Sequence, residues 1–82
     1  MGKEEVVKLT ELEVGREGEV TFIVPGSRHR VEHLLILGVT PGCTLKLVQK
    51  RPAFVLALGE LTLAIGREIA DGIYVRPSGQ SP

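Results

Sequence analysis

FVLALGELTLAI, residues 54–65, reads as a β-hairpin. Gly59 and Glu60 sit at its middle, a two-residue loop with glycine first, which suits a type II′ turn. Folding about that loop sets Leu58 against Leu61, Leu56 against Leu63 and Phe54 against Ile65. The six large side chains then share one face, and Val55, Ala57, Thr62 and Ala64 share the other. A slip of one residue would exchange the large and small faces, so the register is well specified.

Upstream, TLKLVQK (44–50) alternates with Leu45 and Leu47 inward and Lys46 outward, until Arg51 and Pro52 interrupt it. Before it stands HLLILGVTPG (33–42). The apolar spacing of Val31, Leu34 and Leu35 predicts a helix from about Arg28 to Leu37, with Ser27 as N-cap and Gly38 as a left-handed C-cap. Pro41 presets φ, and Gly42 accepts the positive φ of a type II turn. The run 38–42 is thus a corner between helix and strand. Further upstream, Glu17 to Phe22 alternate as a half-buried strand with Val20 and Phe22 on one face. TELE (10–13) matches a capping box that starts a short helical turn pinned by Leu9 and Leu12. Downstream, GREIADG (66–72) is a polar turn or short helix. IYVRP (73–77) is a last strand ended by Pro77. About five short strands with one inserted short α-helix predict a mainly β fold, a small barrel that removes exposed sheet edges.

With 82 residues the chain has room for one domain. Ten Lys plus Arg balance ten Asp plus Glu, and Phe22, Phe54 and Tyr74 are the aromatics. A neutral chain with few aromatics argues against nucleic-acid binding. A single cysteine, Cys43, excludes an internal disulfide and a multi-cysteine zinc site, and reads first as a small packing residue. The run 34–39 is far short of the roughly 20 apolar residues of a membrane helix. The charged start MGKEEVVK has no apolar signal-peptide centre. A cytoplasmic protein with no direct membrane insertion is expected.

His29 and His33 stand four apart on the predicted helix, spaced to chelate a first-row metal, with Glu32 able to add oxygen. Arg28 and Arg30 oppose a cation there, and the plain alternative is a solvated helix face. No cofactor is expected beyond weak Fe2+ binding at this face. Arg28, Arg30, Lys46, Lys50 and Arg51 can gather into a basic patch, while Glu4, Glu5, Glu11, Glu13, Glu17 and Glu19 crowd the N-terminal part. Such asymmetry suits oriented docking, and equally an ordinary soluble surface. Val55, Ala57 and Ala64 form a small apolar strip that a partner can cover if it faces outward. Ser27 and His29 lack an orienting carboxylate, and no Gly-Lys-Ser/Thr phosphate loop is present, so no enzyme is expected.

Three stretches, LTELEVGREGEV (9–20), HLLILGVTPGCTLKLV (33–48) and GELTLAIGREIADGIYV (59–75), carry a resemblance. Together they resemble the FeoA family of ferrous iron uptake, with Leu37-Gly-Val-Thr-Pro-Gly42 the most specific piece. The resemblance covers about residues 8–76, a FeoA-like barrel, between an N-terminal lead (1–7) and a flexible tail (77–82). It implies an SH3-like barrel and a non-enzymatic accessory role beside a FeoB-type ferrous iron permease with a cytoplasmic GTP-binding domain. It supplies no catalytic or metal positions. The contact surface expected from loop and surface position is Arg28, Arg30 and the corner Leu37, Gly38, Val39, Thr40, Pro41 and Gly42, with Val55 and Ala57 second. A homo-oligomer stays open.

Overall fold

The large face of residues 54–65 needs cover, and the rest of the chain folds to supply it. In the computed structural model, which describes residues 5–24 and 38–78, the hairpin forms as β4 (Phe54–Leu58) and β5 (Leu61–Ile65). Its register pairs Phe54 with Ile65, Leu56 with Leu63 and Leu58 with Leu61, as the alternation requires. Gly59 has φ 60°, the positive value a primed hairpin turn demands. Phe54, Leu56, Leu63 and Ile65 are buried, whereas Leu61 is 51% exposed. Leu61 therefore overhangs the core at the turn end, while its partner Leu58 is half-buried and packs against the core.

The other strands are β1 (Val7–Lys8), β2 (Glu17–Ile23), β3 (Thr44–Gln49) and β6 (Ile73–Ser78). A 3-10 turn spans Leu9–Glu11, and the short helix α1 spans Arg67–Ala70. All six strands join one antiparallel sheet in the order β1-β6-β2-β3-β4-β5. The sheet is curled, because the 3-10 turn that follows β1 meets α1, which follows β5. Both place side chains, Leu9 and Ala70, in the core shared by β2 to β6. No polar side chain is buried among the described residues, so this core rests on apolar packing.

Several expectations change. There are six strands, because Val7, placed in the lead, pairs with Val75. Pro77 does not end the last strand. It lies opposite Gly18, and Ser78 opposite Glu17. β1 covers only Tyr74 and Val75, so β6 is an edge strand at Pro77, the setting in which proline is tolerated. The capping box does not form. Lys8 is the N-cap, without a side-chain hydrogen bond, and Thr10 lies inside the turn, where its Oγ1 donates to Asp71 Oδ1 at 3.4 Å. Leu9 and Leu12 are buried as expected.

Phe22 is not on the face of Val20. The β2–β6 register shifts between them, with Val20 opposite Val75 and Phe22 opposite Tyr74, leaving Thr21 as an extra residue. One inserted residue turns all that follows to the other face. Phe22 is therefore 48% exposed and stacks on Tyr74, with ring centroids 4.6 Å apart and planes within 7°. The bulged Thr21 donates its hydroxyl to the Tyr74 carbonyl at 3.1 Å.

Gly18 marks a close approach of β2 and β6. A Cβ there would lie 3.2 Å from Val75 Cβ, 3.3 Å from Val75 Cγ2 and 3.4 Å from the Arg76 carbonyl oxygen. Gly18→Val, with two further methyl groups, should overpack this seam and cost about 1–3 kcal/mol. The expected readout is a lower urea midpoint with an unchanged m value.

Candidate functional site

The corner before β3 is built by hydrogen bonds. Thr40–Cys43 form a turn in which the Cys43 N–H donates to the Thr40 carbonyl at 3.1 Å. Gly42, at the third position, has φ 98°, the left-handed value of a type II turn. The corner is also tied to β2: the Gly42 N–H donates to the Val20 carbonyl at 2.7 Å, and the Val20 N–H donates to the Cys43 carbonyl at 2.8 Å. Val39 is fully buried in the core. It anchors the corner from below, so among the described residues of the expected contact surface it is the one that presents no surface. Gly38 (φ 88°), Pro41 and Gly42 are exposed, and Thr40 is half-buried. Cys43 is half-buried against the core and has a free thiol, a packing position.

The small face of the hairpin points outward. Ala57 lies between Lys46 on β3 and Thr62 on β5. Val55 lies between Gln49 and Ala64. Val55 and Ala57 are half-buried, and Thr62 and Ala64 are exposed. Val48, beside a register shift in β3, is 45% exposed and adds to the strip. The Lys46–Ala57 pairing carries Thr44 toward Gly59, so the corner and the hairpin turn lie at the same end of the sheet.

The opposite end of β3, β4 and β5 holds a cleft of about 270 Å³ lined by Thr10, Lys50, Arg51, Pro52, Phe54 and Arg67. The Arg51–Pro52 peptide, in the β3–β4 connection, is cis. Lys50 and Arg51 of the expected basic patch meet here, while Lys46 stands on the exposed middle of β3. Arg67 is the member that sequence reading missed. The signal was available: pairing of Phe54 with Ile65 brings the residues just before β4 beside those just after β5.

The N-terminal acids do not stay apart as a block. Glu17 lies opposite Lys46, and Glu19 pairs with Arg76 at 3.4 Å. Both partners in the latter pair are well exposed, which makes it worth about 0–1 kcal/mol. Arg28, Arg30, Leu37, His29, Glu32 and His33, with the predicted helix that carries them, lie outside the described residues. Among the described residues no three metal-ligating side chains cluster, and no helix is long and apolar enough to cross a membrane.

Comparison with known proteins places this geometry. The FeoA domain family model matches residues 7–77. A crystal structure of an iron uptake regulatory protein, FeoA, shares 30% identity at a TM-score of 0.80, over 90% of this chain and all of the other. The solution structure of FeoA from Chlorobium tepidum shares 28% identity at a TM-score of 0.79, over 92% of this chain and 74% of the other. A zinc complex of FeoA from Stenotrophomonas maltophilia, described as a procaryotic SH3 domain protein and a candidate ferrous iron transport activating factor, superposes at a TM-score of 0.73. That match covers 84% of this chain and 88% of the other at 20% identity, which speaks for the fold alone. No curated protein sequence matches the chain. The curled six-stranded sheet is accordingly SH3-like.

Proposed function

This chain belongs to the FeoA family, a family of ferrous iron transport, and from that premise we propose that it is a non-enzymatic accessory protein that works by contact with a FeoB-type GTP-binding permease. The setting is the cytoplasmic side of the membrane. The observation that supports contact is the corner at 38–42. Its exposed Gly38, Pro41 and Gly42 are held by a buried Val39 and by backbone bonds to β2, which makes a rigid, solvent-facing feature. Rigid surface features lose little entropy on docking. Thr40 belongs to the same surface. Val55 and Ala57 extend it along the outer face of the sheet, with Arg28, Arg30 and Leu37 the expected continuation from the segment before the corner.

A regulator can bias a transporter only by binding two of its states with different affinity. The test is titration of the full chain against detergent-solubilised permease from the same genome, with and without GTP. Saturable binding that changes with nucleotide is expected. Absence of binding in both conditions overturns the proposal. Ala57→Arg places a bulky cation in the strip on a half-buried outer position. It is expected to leave the melting temperature close to wild type and to weaken permease binding by about tenfold, or roughly 1.4 kcal/mol. The metal reading rests on His29, Glu32 and His33. Its experiment is Fe2+ titration followed by histidine NMR signals.

A further inference from the structure

The cleft at the far end of the sheet is independent of the contact surface just described. Its side chains are Lys50, Arg51 and Arg67, the hydroxyl of Thr10, and an apolar floor of Pro52 and Phe54. In a chain whose formal charge is zero, three of six lining residues are cationic and none is acidic. Among the described residues, none of the three cations is paired with a carboxylate. Among the described residues, Thr10 is the lining residue that meets a carboxylate, that of Asp71, which is also paired with Lys8 at 3.9 Å. Unpaired like charges around a concavity repel one another, and an anion relieves that repulsion.

The geometry points to a binding site for a phosphate group, held by Lys50, Arg51, Arg67 and Thr10. Two guanidinium groups present planar forks of donors that match oxyanions in bidentate fashion, and the ammonium adds a point charge. Thr10 can turn its hydroxyl from Asp71 to a phosphate oxygen, since a hydroxyl rotates to suit its acceptor. Phe54 is buried and gives the cleft an apolar wall, while Arg51 and Arg67 stay exposed, so these attractions are screened by solvent. At about 270 Å³ the cleft is smaller than a typical pocket for a drug-sized ligand, which favours the phosphate itself over recognition of a larger attached group. A soluble phosphate compound and a lipid headgroup present the same chemistry.

The experiment titrates inorganic phosphate and then pyrophosphate into the isotopically labelled full chain at low salt, following backbone amide signals. Saturable shifts centred on Thr10, Lys50, Arg51, Phe54 and Arg67 are expected, and they should weaken as sodium chloride screens the charges. The double variant Arg51→Ala, Arg67→Ala changes two exposed side chains. It should keep its circular dichroism and melting curve while affinity falls by about tenfold or more. Lys46→Ala, outside the cleft, should bind as wild type does. A second arm uses phosphatidylglycerol vesicles against neutral phosphatidylcholine vesicles. Binding to the former alone, lost in the double variant, identifies a lipid phosphate as the source. Absence of saturable shifts with both soluble probes and of vesicle binding overturns the assignment. So does binding that the double variant retains.

Discussion

Gly42→Val should destabilise the domain by about 2–3 kcal/mol, because it forces a β-branched residue into left-handed backbone. Gly42 has φ 98°, and a Cβ built on it meets nothing within 4 Å. The cost is therefore backbone strain, with no steric clash to add. The chain cannot escape by flipping the turn. The Gly42 N–H is committed to Val20 and the next N–H to Thr40, so relaxing φ would break the bond that closes the turn and the bond that joins it to β2. For a domain of this size each 1 kcal/mol moves the melting temperature by roughly 4–8 °C, so a fall of about 10 °C or more is expected by calorimetry. Gly42→Asn should cost much less, since asparagine tolerates the left-handed region. Equal melting of valine and glycine proteins would show that the corner carries no strain.

Leu56→Ala should cost about 3–4 kcal/mol, the range for leucine truncation in a core that collapses only in part. Leu56 is fully buried, opposite Leu47 on β3 and Leu63 on β5. It thus sits in the middle of the three-stranded half of the sheet, where a void is fenced by backbone on both sides. Against a total stability of about 5–15 kcal/mol, that is a large share. Urea unfolding checks it: the midpoint should drop steeply at constant m. The internal control is Leu61→Ala on the same hairpin. Leu61 is 51% exposed and overhangs the core, so its loss should stay within about 0.5 kcal/mol. Similar costs for the two leucines would overturn the assignment of the hairpin's inner face.

The two leucines also show where sequence reading reaches and where it stops. Alternation placed both on the large face, and register and turn followed from it. Depth did not follow, because burial depends on how far the rest of the fold extends over the hairpin. Phe22 is the sharper case. Strict alternation put it beside Val20, yet the β2–β6 register shifts at Thr21 and Phe22 emerges to stack on Tyr74. A bulge is a property of two strands paired together. Here the partners are more than fifty residues apart, and no local pattern announces it. Thr10 tells the same story: a good capping sequence gave way to a hydrogen bond with Asp71, 61 residues away.

By itself the sequence determined the hairpin register, the type II corner at Thr40–Cys43 and the family motif that overlaps that corner. Each follows from backbone sterics or period-two patterning within a dozen residues, which act whatever the rest of the chain does. Only the tertiary structure decided that Val39 is an anchor with no surface of its own, that Phe22 faces out, and that Arg67 joins Lys50 and Arg51 at one cleft. Those outcomes depend on which strands become neighbours and how the sheet curls, and they are set by burying the whole core at once.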